Sequence, residues 1–352
     1  MTSRKGLAIK YRPTTFDDVV GQDFTKIILQ QQIETGTFKS AYLFTGGAGT
    51  GKTTCARIFA NEINKGLGSP IELDAASNNG VDDIRQIIQQ AQTKSLTSEY
   101  KVFVLDEVQS LSNNAWQAML KLLEEPPVKT IFIMCTTDPQ KIPKTILSRV
   151  QRFQFQRISQ QGIVERLKTI LFLEDEEILS NGGPDGAYRY SCQNEALEYI
   201  AKIADGGLRD ALTLLDKCLA YSSELTLENV VKAVGATDYD TMIRITKALF
   251  SANEFDTFSI VDSVHSSGKD LKLFIHGYLE FVMDICKYDV TRSFSFIKVP
   301  SFYKADMDAF ANHGGAKLLK CLLRLNSDIK YETSPKMLIE ATFYEFCLGE
   351  KS

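Results

Sequence analysis

Gly46 to Thr53 reads GGAGTGKT, and farther along Val102 to Glu107 reads VFVLDE. The first follows the pattern G-x-x-x-x-G-K-[ST]. Its glycines let backbone N–H groups close around phosphate oxygens with no side chain in the way. Gly46, Gly47, Gly49, Thr50 and Gly51 form the expected cradle, Lys52 adds a cation at the β and γ phosphates, and Thr53 offers a hydroxyl to a metal ion. Tyr42-Leu43-Phe44 ahead of the loop is a buried-strand pattern, and TTCARIFANEI from Thr53 onward has helical spacing. The loop therefore opens a helix, whose N-terminal dipole favours anions. VFVLDE supplies the second half of the chemistry, an apolar strand ending in adjacent carboxylates. Asp106 can reach a magnesium shell through water, and Glu107, on the other side of the strand, can polarise an attacking water. The competing readings are a bare glycine turn and solvated carboxylates at a strand end. The combined order of strand, loop, helix and second strand predicts a chain that binds ATP or GTP with Mg²⁺.

The remaining sequence frames this site. At 352 residues the chain has room for two or three domains, and its 44% apolar and 24% charged content is ordinary for a soluble protein. No apolar run approaches the roughly 18 residues that span a membrane, and the start MTSRKGLAIKYRP lacks the apolar segment of a signal peptide. The seven cysteines are scattered without a C-x-x-C pair, which predicts reduced thiols, a cytoplasmic setting and no zinc site. Net charge is −4, so any nucleic-acid surface must be a local patch.

Up to Phe155 short apolar runs (AYLF, PIELDA, KVFVLD, TIFIMCT, RFQF) alternate with helical stretches. Five such strands predict a parallel α/β sheet covered on both faces. Gln160 to Leu173 has helical spacing, and EDEEILSNGGPDGAYRYS after it reads as a polar insertion. NEALEYIAKIA, GGLRDALTLLDKCLAY and TLENVVKAVG read as a small helical lid. From Tyr239 the pattern is amphipathic helix, notably LKLFIHGYLEFVMDICKY and GAKLLKCLLRLNSDI. The expected domains are 1–158, 159–237 and 238–352.

Further residues have two readings each. Thr136-Thr137-Asp138, at the end of the fourth strand, places hydroxyls beside a γ-phosphate position, while turn capping by Thr136 or Asp138 is an equal local alternative. Arg149 in ILSRVQRF is either a surface charge or a guanidinium handed to a neighbouring subunit's nucleotide. Arg209 in GGLRDAL sits in the first turn of a helix, where a cation is disfavoured unless an anion lies beside it. Tyr11-Arg12-Pro13, with the apolar Val19-Val20 edge, reads locally as an ordered N-terminal arm.

Together these pieces resemble the AAA+ clamp-loader ATPases, and among them the gamma/tau subunits of bacterial DNA polymerase III. The carrying segments are KYRPTTFDDVVGQ, YLFTGGAGTGKTT, ELDAASNNGVDDIR, VFVLDEVQSLS, AWQAMLKLLEEPP, CTTDPQKIPKTILSR and ADGGLRDALTLLD, spread over most of Ile9 to Asp216 in family order. The resemblance implies a AAA+ sheet, a three-helix lid and a helical collar that holds a ring of subunits. It implies ATP-driven opening of a sliding clamp and its loading on primer–template DNA, with several copies of the chain and accessory subunits as ring partners. By position it makes Lys52, Thr53 and Thr54 the phosphate loop, Asp106 the metal-side carboxylate and Glu107 the catalytic glutamate. It makes Thr137 the γ-phosphate sensor, Arg209 the lid arginine on the nucleotide, Arg149 the arginine finger acting on the adjacent subunit, and Tyr11, Arg12, Pro13, Val19 and Val20 the adenine pocket.

The sequence departs from that family pattern in four ways. The four-cysteine zinc module is absent, since Asn61 runs through NKGLGSP straight to IELDAAS. Val150 replaces the cysteine of the SRC motif, and Gln109 stands at a usual histidine; neither is expected to touch the chemistry. The lid carries the extra segment at 174–191, and the chain is expected to lack the tau extension after the collar. Ser77-Asn78-Asn79-Gly80 and Ser112-Asn113-Asn114 are candidate DNA-phosphate contacts, with plain N-capping as the alternative. The rival functions are another DNA-acting AAA+ motor, such as a branch-migration helicase or helicase loader, and a non-catalytic subunit of the same ring.

Overall fold

The computed structural model describes residues 5–93, 95, 97–180, 190–234, 238–311, 313 and 315–351. The chain divides into two compact units, residues 1–223 and 224–352.

In the first unit, helices α1 (Leu7–Lys10) and α2 (Asp23–Thr35) precede strand β1 (Ala41–Gly46) and helix α3 (Lys52–Ile63). There follow β2 (Ile71–Asp74), α4 (Val81–Gln92), β3 (Lys101–Asp106), α5 (Asn113–Glu124), β4 (Thr130–Thr136), α6 (Lys144–Leu147) and β5 (Gln151–Phe155). The five strands pair in parallel in the order β2-β3-β4-β1-β5. The sequence dictates this because the three central strands, β3, β4 and β1, are apolar on both faces. Leu43, Phe103, Leu105, Phe132 and Met134 pack with Ile84, Ile87, Trp116 and Met119 on one side. Tyr42, Phe44, Val104 and Ile133 pack with Leu29, Cys55, Ile58 and Phe59 on the other. Such two-sided burial requires helices on each face of a parallel sheet, and it aims every strand's C-terminal end at one edge, where ligands of such sheets bind.

The unit closes with α7 (Gln160–Ser180), α8 (Asn194–Ile203) and α9 (Leu208–Tyr221). Here the structure corrects the sequence reading: Glu174 to Ser180, expected to open a polar insertion, continues helix α7. Glu174 and Asp175 are buried. The reason is a partner far away in sequence, because Glu174 accepts hydrogen bonds from Lys10 Nζ and, at 2.8 Å, from Tyr11 Oη. Of the rest of the expected insertion, 181–189 lie outside the described residues, while Tyr190 is buried and Ser191 begins a two-residue strand, Ser191–Cys192.

The second unit is helical: α10 (Leu227–Val234), α11 (Asp238–Phe250), α12 (Glu254–Ser266), α13 (Leu271–Thr291), α14 (Lys304–Phe310), α15 (Gly315–Asp328) and α16 (Pro335–Lys351). The LKLFIHGYLEFVMDICKY pattern becomes α13, whose Phe274, Ile275, Tyr278, Phe281, Val282 and Ile285 are buried in the core. Two polar groups are pinned inside it. Tyr278 Oη lies 2.9 Å from Thr246 Oγ1, and Asp284 Oδ2 accepts from the Lys298 amide at 2.6 Å. Burial raises the Asp284 carboxyl above its usual range, opposed by that amide and by Lys287.

Candidate nucleotide site

The glycine loop lies between the C-terminal end of β1 and the first turn of α3, where backbone amides and the helix dipole converge. Gly46 still pairs with Phe155 in the sheet, and its φ of 153° is one that a side chain would strain. Gly49 (φ 69°) brings the loop against the start of α9, its carbonyl accepting from the Leu208 amide at 3.0 Å. Thr50, buried, ties Oγ1 to the Gly47 carbonyl at 2.9 Å. Lys52 is only 6% exposed, and its ammonium donates to the carbonyls of Gly46 (3.0 Å) and Gly47 (2.7 Å). Burial lowers its pKa, opposed by the nearby Glu107 and Asp106. Thr53 Oγ1 donates to Asp106 Oδ2 at 2.8 Å, and Asp106 Oδ1 accepts from the Glu107 amide at 3.0 Å. A hydroxyl beside a carboxylate is an all-oxygen donor pair, the kind a hard divalent cation takes, so these residues fit Mg²⁺.

A cleft of about 250 Å³ opens beside this loop. Of the residues expected from sequence, Gly49, Thr50, Gly51, Lys52, Thr53, Thr54, Asp106, Glu107 and Arg209 line it. So do Tyr11, Arg12, Pro13, Val19 and Val20, which brings the N-terminal arm to the phosphate loop. Gly46, Gly47, Thr137 and Arg149 are not among its walls. The arm is held from behind. Tyr11 donates to Glu174, its carbonyl accepts from Arg166 at 3.4 Å, and burial together with Glu174 pushes its pKa up to about 12. Arg12 is depressed by burial and then by the adjacent cations Arg57 and Arg209, a concentration of positive charge suited to an anion.

Thr137 reaches the site indirectly, donating from Oγ1 to Glu107 Oε2 at 3.1 Å. Thr136, fully buried, accepts from the Asp138 amide at 3.0 Å, and Asp138 Oδ1 accepts from the Gln140 amide, so both have the capping role. Arg149 stands apart from the cleft, bound to Glu124 at 2.8 Å and to the Thr145 carbonyl at 2.7 Å. Ser112 caps α5 through the Ala115 amide, and the Gly80 amide donates to Asp83 at 3.0 Å.

One expectation is overturned: Gln109 does touch the carboxylate chemistry. Its Nε2 donates to Glu107 Oε2 and, at 3.0 Å, to Thr137 Oγ1, while its Oε1 accepts from Thr136 Oγ1 at 2.7 Å. The physical reason is that the chain turns at Glu107 (φ 50°), which folds residue 109 back toward the end of β4. Sequence reading also missed Gln22, whose Nε2 grips the carbonyls of Thr50 (3.3 Å) and Gln156 (2.7 Å). Leu208 and Leu212, which line the cleft from α9, were missed too. Their spacing along the amphipathic lid helix was the available signal; Gln22 ends the segment KYRPTTFDDVVGQ, but nothing local marks the carbonyls it grips.

Residues 70–159 match the family described as "DNA polymerase III, delta subunit", and residues 187–224 match "DNA polymerase III clamp loader subunit, ATPase lid domain". The DNA polymerase III subunit tau of Bacillus subtilis is 33% identical over 96% of this chain and 62% of its own length. That of Escherichia coli is 34% identical over 74% of this chain and 42% of its own length, so the chain spans about half the length of these relatives. The DNA polymerase III subunit gamma of Buchnera aphidicola is 30% identical over 95% of this chain and 96% of its own length. Among solved structures, the RuvB Holliday junction branch migration motor of Thermotoga maritima superposes with a TM-score of 0.52 at 18% identity, over 68% of this chain and 79% of its own, a likeness of fold. With the Buchnera subunit aligned over nearly the whole of both chains, the chain belongs to the DNA polymerase III gamma/tau family of clamp-loader subunits.

Proposed function

We propose that the chain is an ATP-hydrolysing motor subunit of a sliding-clamp loader, working in a ring with other copies and accessory subunits on primer–template DNA. The observation that carries this reading is the convergence of Lys52, Thr53, Asp106 and Glu107 in one cleft with Arg12 and Arg209. Lys52 exchanges the carbonyls of Gly46 and Gly47 for phosphate oxygens, and the loop amides take the remaining phosphate charge. Thr53 and Asp106 hold Mg²⁺, which when bound neutralises charge on the β and γ phosphates. Tyr11, Pro13, Val19 and Val20 receive the base, and Glu107 accepts the proton of the attacking water. Thr137, bonded to Glu107, senses the γ-phosphate, and Arg149 serves the neighbouring subunit's site.

Residues 159–237 act as the lid and 238–352 as the ring-forming collar. The starts of α4 and α5, with Asn79 and Asn113, face DNA phosphate. Turnover of ATP by the purified chain, alone and then with clamp and primed DNA, tests the reading. A rise in turnover that needs both clamp and primed DNA is the expected result. Turnover that a clamp never stimulates favours another DNA motor, and none at all favours a structural subunit.

A further inference from the structure

We propose that Gln109 is a positioning residue for ATP hydrolysis, its carboxamide fastening the Glu107 carboxylate to Thr136 and Thr137 at the neighbouring strand end. The inference rests on the ATPase reading above. Strand β3 stops at Asp106, and Glu107 already has a φ of 50°, so the strand's pleat does not aim its side chain. Something else must fix the carboxylate. Two donors meet at Glu107 Oε2, Gln109 Nε2 and Thr137 Oγ1, the latter at 3.1 Å.

The same Gln109 nitrogen reaches Thr137 Oγ1 at 3.0 Å, closing a three-membered ring of hydrogen bonds. At its other end, Gln109 Oε1 accepts from Thr136 Oγ1 at 2.7 Å. Thr136 is fully buried in β4 and bonded to the Asp138 amide, so that end does not move. Between the two ends Val108 is fully buried and pins the turn. A carboxamide gripped at both ends has one rotamer, and it passes the rigidity of β4 to Glu107. One consequence follows: Oε2 is occupied, so Oε1 is the oxygen presented to water.

The test compares the full chain with Gln109→Met, close in size but without donors, and Gln109→His, which keeps one ring donor and one acceptor. Loss of a bond to a charged acceptor predicts that Gln109→Met lowers kcat roughly 10- to 100-fold. KM and the affinity for an ATP analogue stay within about twofold, since Lys52, Thr53 and Asp106 are untouched. Gln109→His recovers most of the rate. An unchanged kcat in Gln109→Met overturns the proposal. So does a fall in affinity and melting temperature that parallels the fall in kcat, which marks a merely structural role. If the unmodified chain turns over no ATP, the ATPase reading fails and takes this inference with it. An active chain with a silent Gln109→Met overturns the inference alone.

Discussion

Replacing three of the four glycines of the phosphate loop one at a time separates backbone strain from collision, and the structure ranks the outcomes. At Gly46 a Cβ would lie 2.5 Å from the Phe155 carbonyl oxygen and 3.0 Å from its Cβ, with φ at 153°. The sparsely populated φ costs about 1–3 kcal/mol. The collision is with backbone of the adjacent strand, which cannot swing away, and overpacking of that kind adds about 1–3 kcal/mol. Gly46→Ala should therefore lose about 4 kcal/mol, a fall of roughly 10 °C in melting temperature for a unit of this size.

At Gly49, φ is 69° and the nearest atom is Gly207 Cα at 3.0 Å. Strain of about 1–2 kcal/mol with a lighter contact puts Gly49→Ala at roughly half that loss. At Gly47 the nearest atom is Thr50 Cγ2 at 3.8 Å, an ordinary contact, so Gly47→Ala should change stability by less than about 0.5 kcal/mol. Thermal melts of the nucleotide-free variants measure the order, and equilibrium binding of an ATP analogue on the same samples separates loss of fold from loss of the cradle. A Gly47→Ala variant as unstable as Gly46→Ala, or a Gly46→Ala variant that melts within about 2 °C of the parent, refutes the reasoning.

Four other outcomes are expected. Lys52→Ala should abolish ATP binding, whereas Glu107→Gln should bind ATP and fail to hydrolyse it; equal loss of affinity in both would contradict their separate roles. Arg149→Ala should keep ATP affinity and lose stimulated turnover by about 10³-fold or more, with partial recovery on mixing with Lys52→Ala subunits, since mixed rings pair an intact site with an intact finger. DNA binding by the ATP-bound assembly should be indifferent to sequence and fall with salt at a log–log slope near −0.9 per contacted phosphate; strong sequence preference would exclude a phosphate grip. Tyr11 keeps its proton to about pH 12 in the fold but only to about pH 10 unfolded. The folded state therefore holds more protons in that window, and stability falls as pH rises through it. Tyr11→Phe should flatten that part of the stability–pH curve, measured by urea titration.

The parts of the site that were legible in the sequence are those whose chemistry is local. GGAGTGKT marks a phosphate loop, and VFVLDE marks a buried strand ending in acid, because the residue types and spacing that identify each are contiguous in the chain. The strands were readable since residues such as Tyr42, Leu43 and Phe44, all fully buried, leave no polar face to confuse the pattern. What escaped depends on partners brought together only by the fold. Glu174 reads as surface charge until Lys10 and Tyr11 arrive from the other end of the unit. Gln109 reads as a spectator until the reversed φ at Glu107 carries it to Thr136 and Thr137. Glu124 likewise gains its ion pair with Arg149 only when α5 and the segment after α6 meet.

The order of strands has a consequence for how the chain is made. β1 carries the phosphate loop, yet both its neighbours in the sheet, β4 at Thr130–Thr136 and β5 at Gln151–Phe155, are synthesised long after it. A ribosome releases the loop early, but the walls that hold Gly46 against Phe155 do not yet exist. Pairings this distant in sequence are slow to close and leave apolar strands exposed meanwhile. Tyr42, Leu43 and Phe44 must wait, unpaired, while the intervening chain emerges, and they are the natural targets for a chaperone during that interval. Nascent chains arrested before Gln151 should fail to retain an ATP analogue, and those released beyond Tyr221, with α9 complete, should hold it. The glycine loop, translated early, is thus among the last parts of its unit to work.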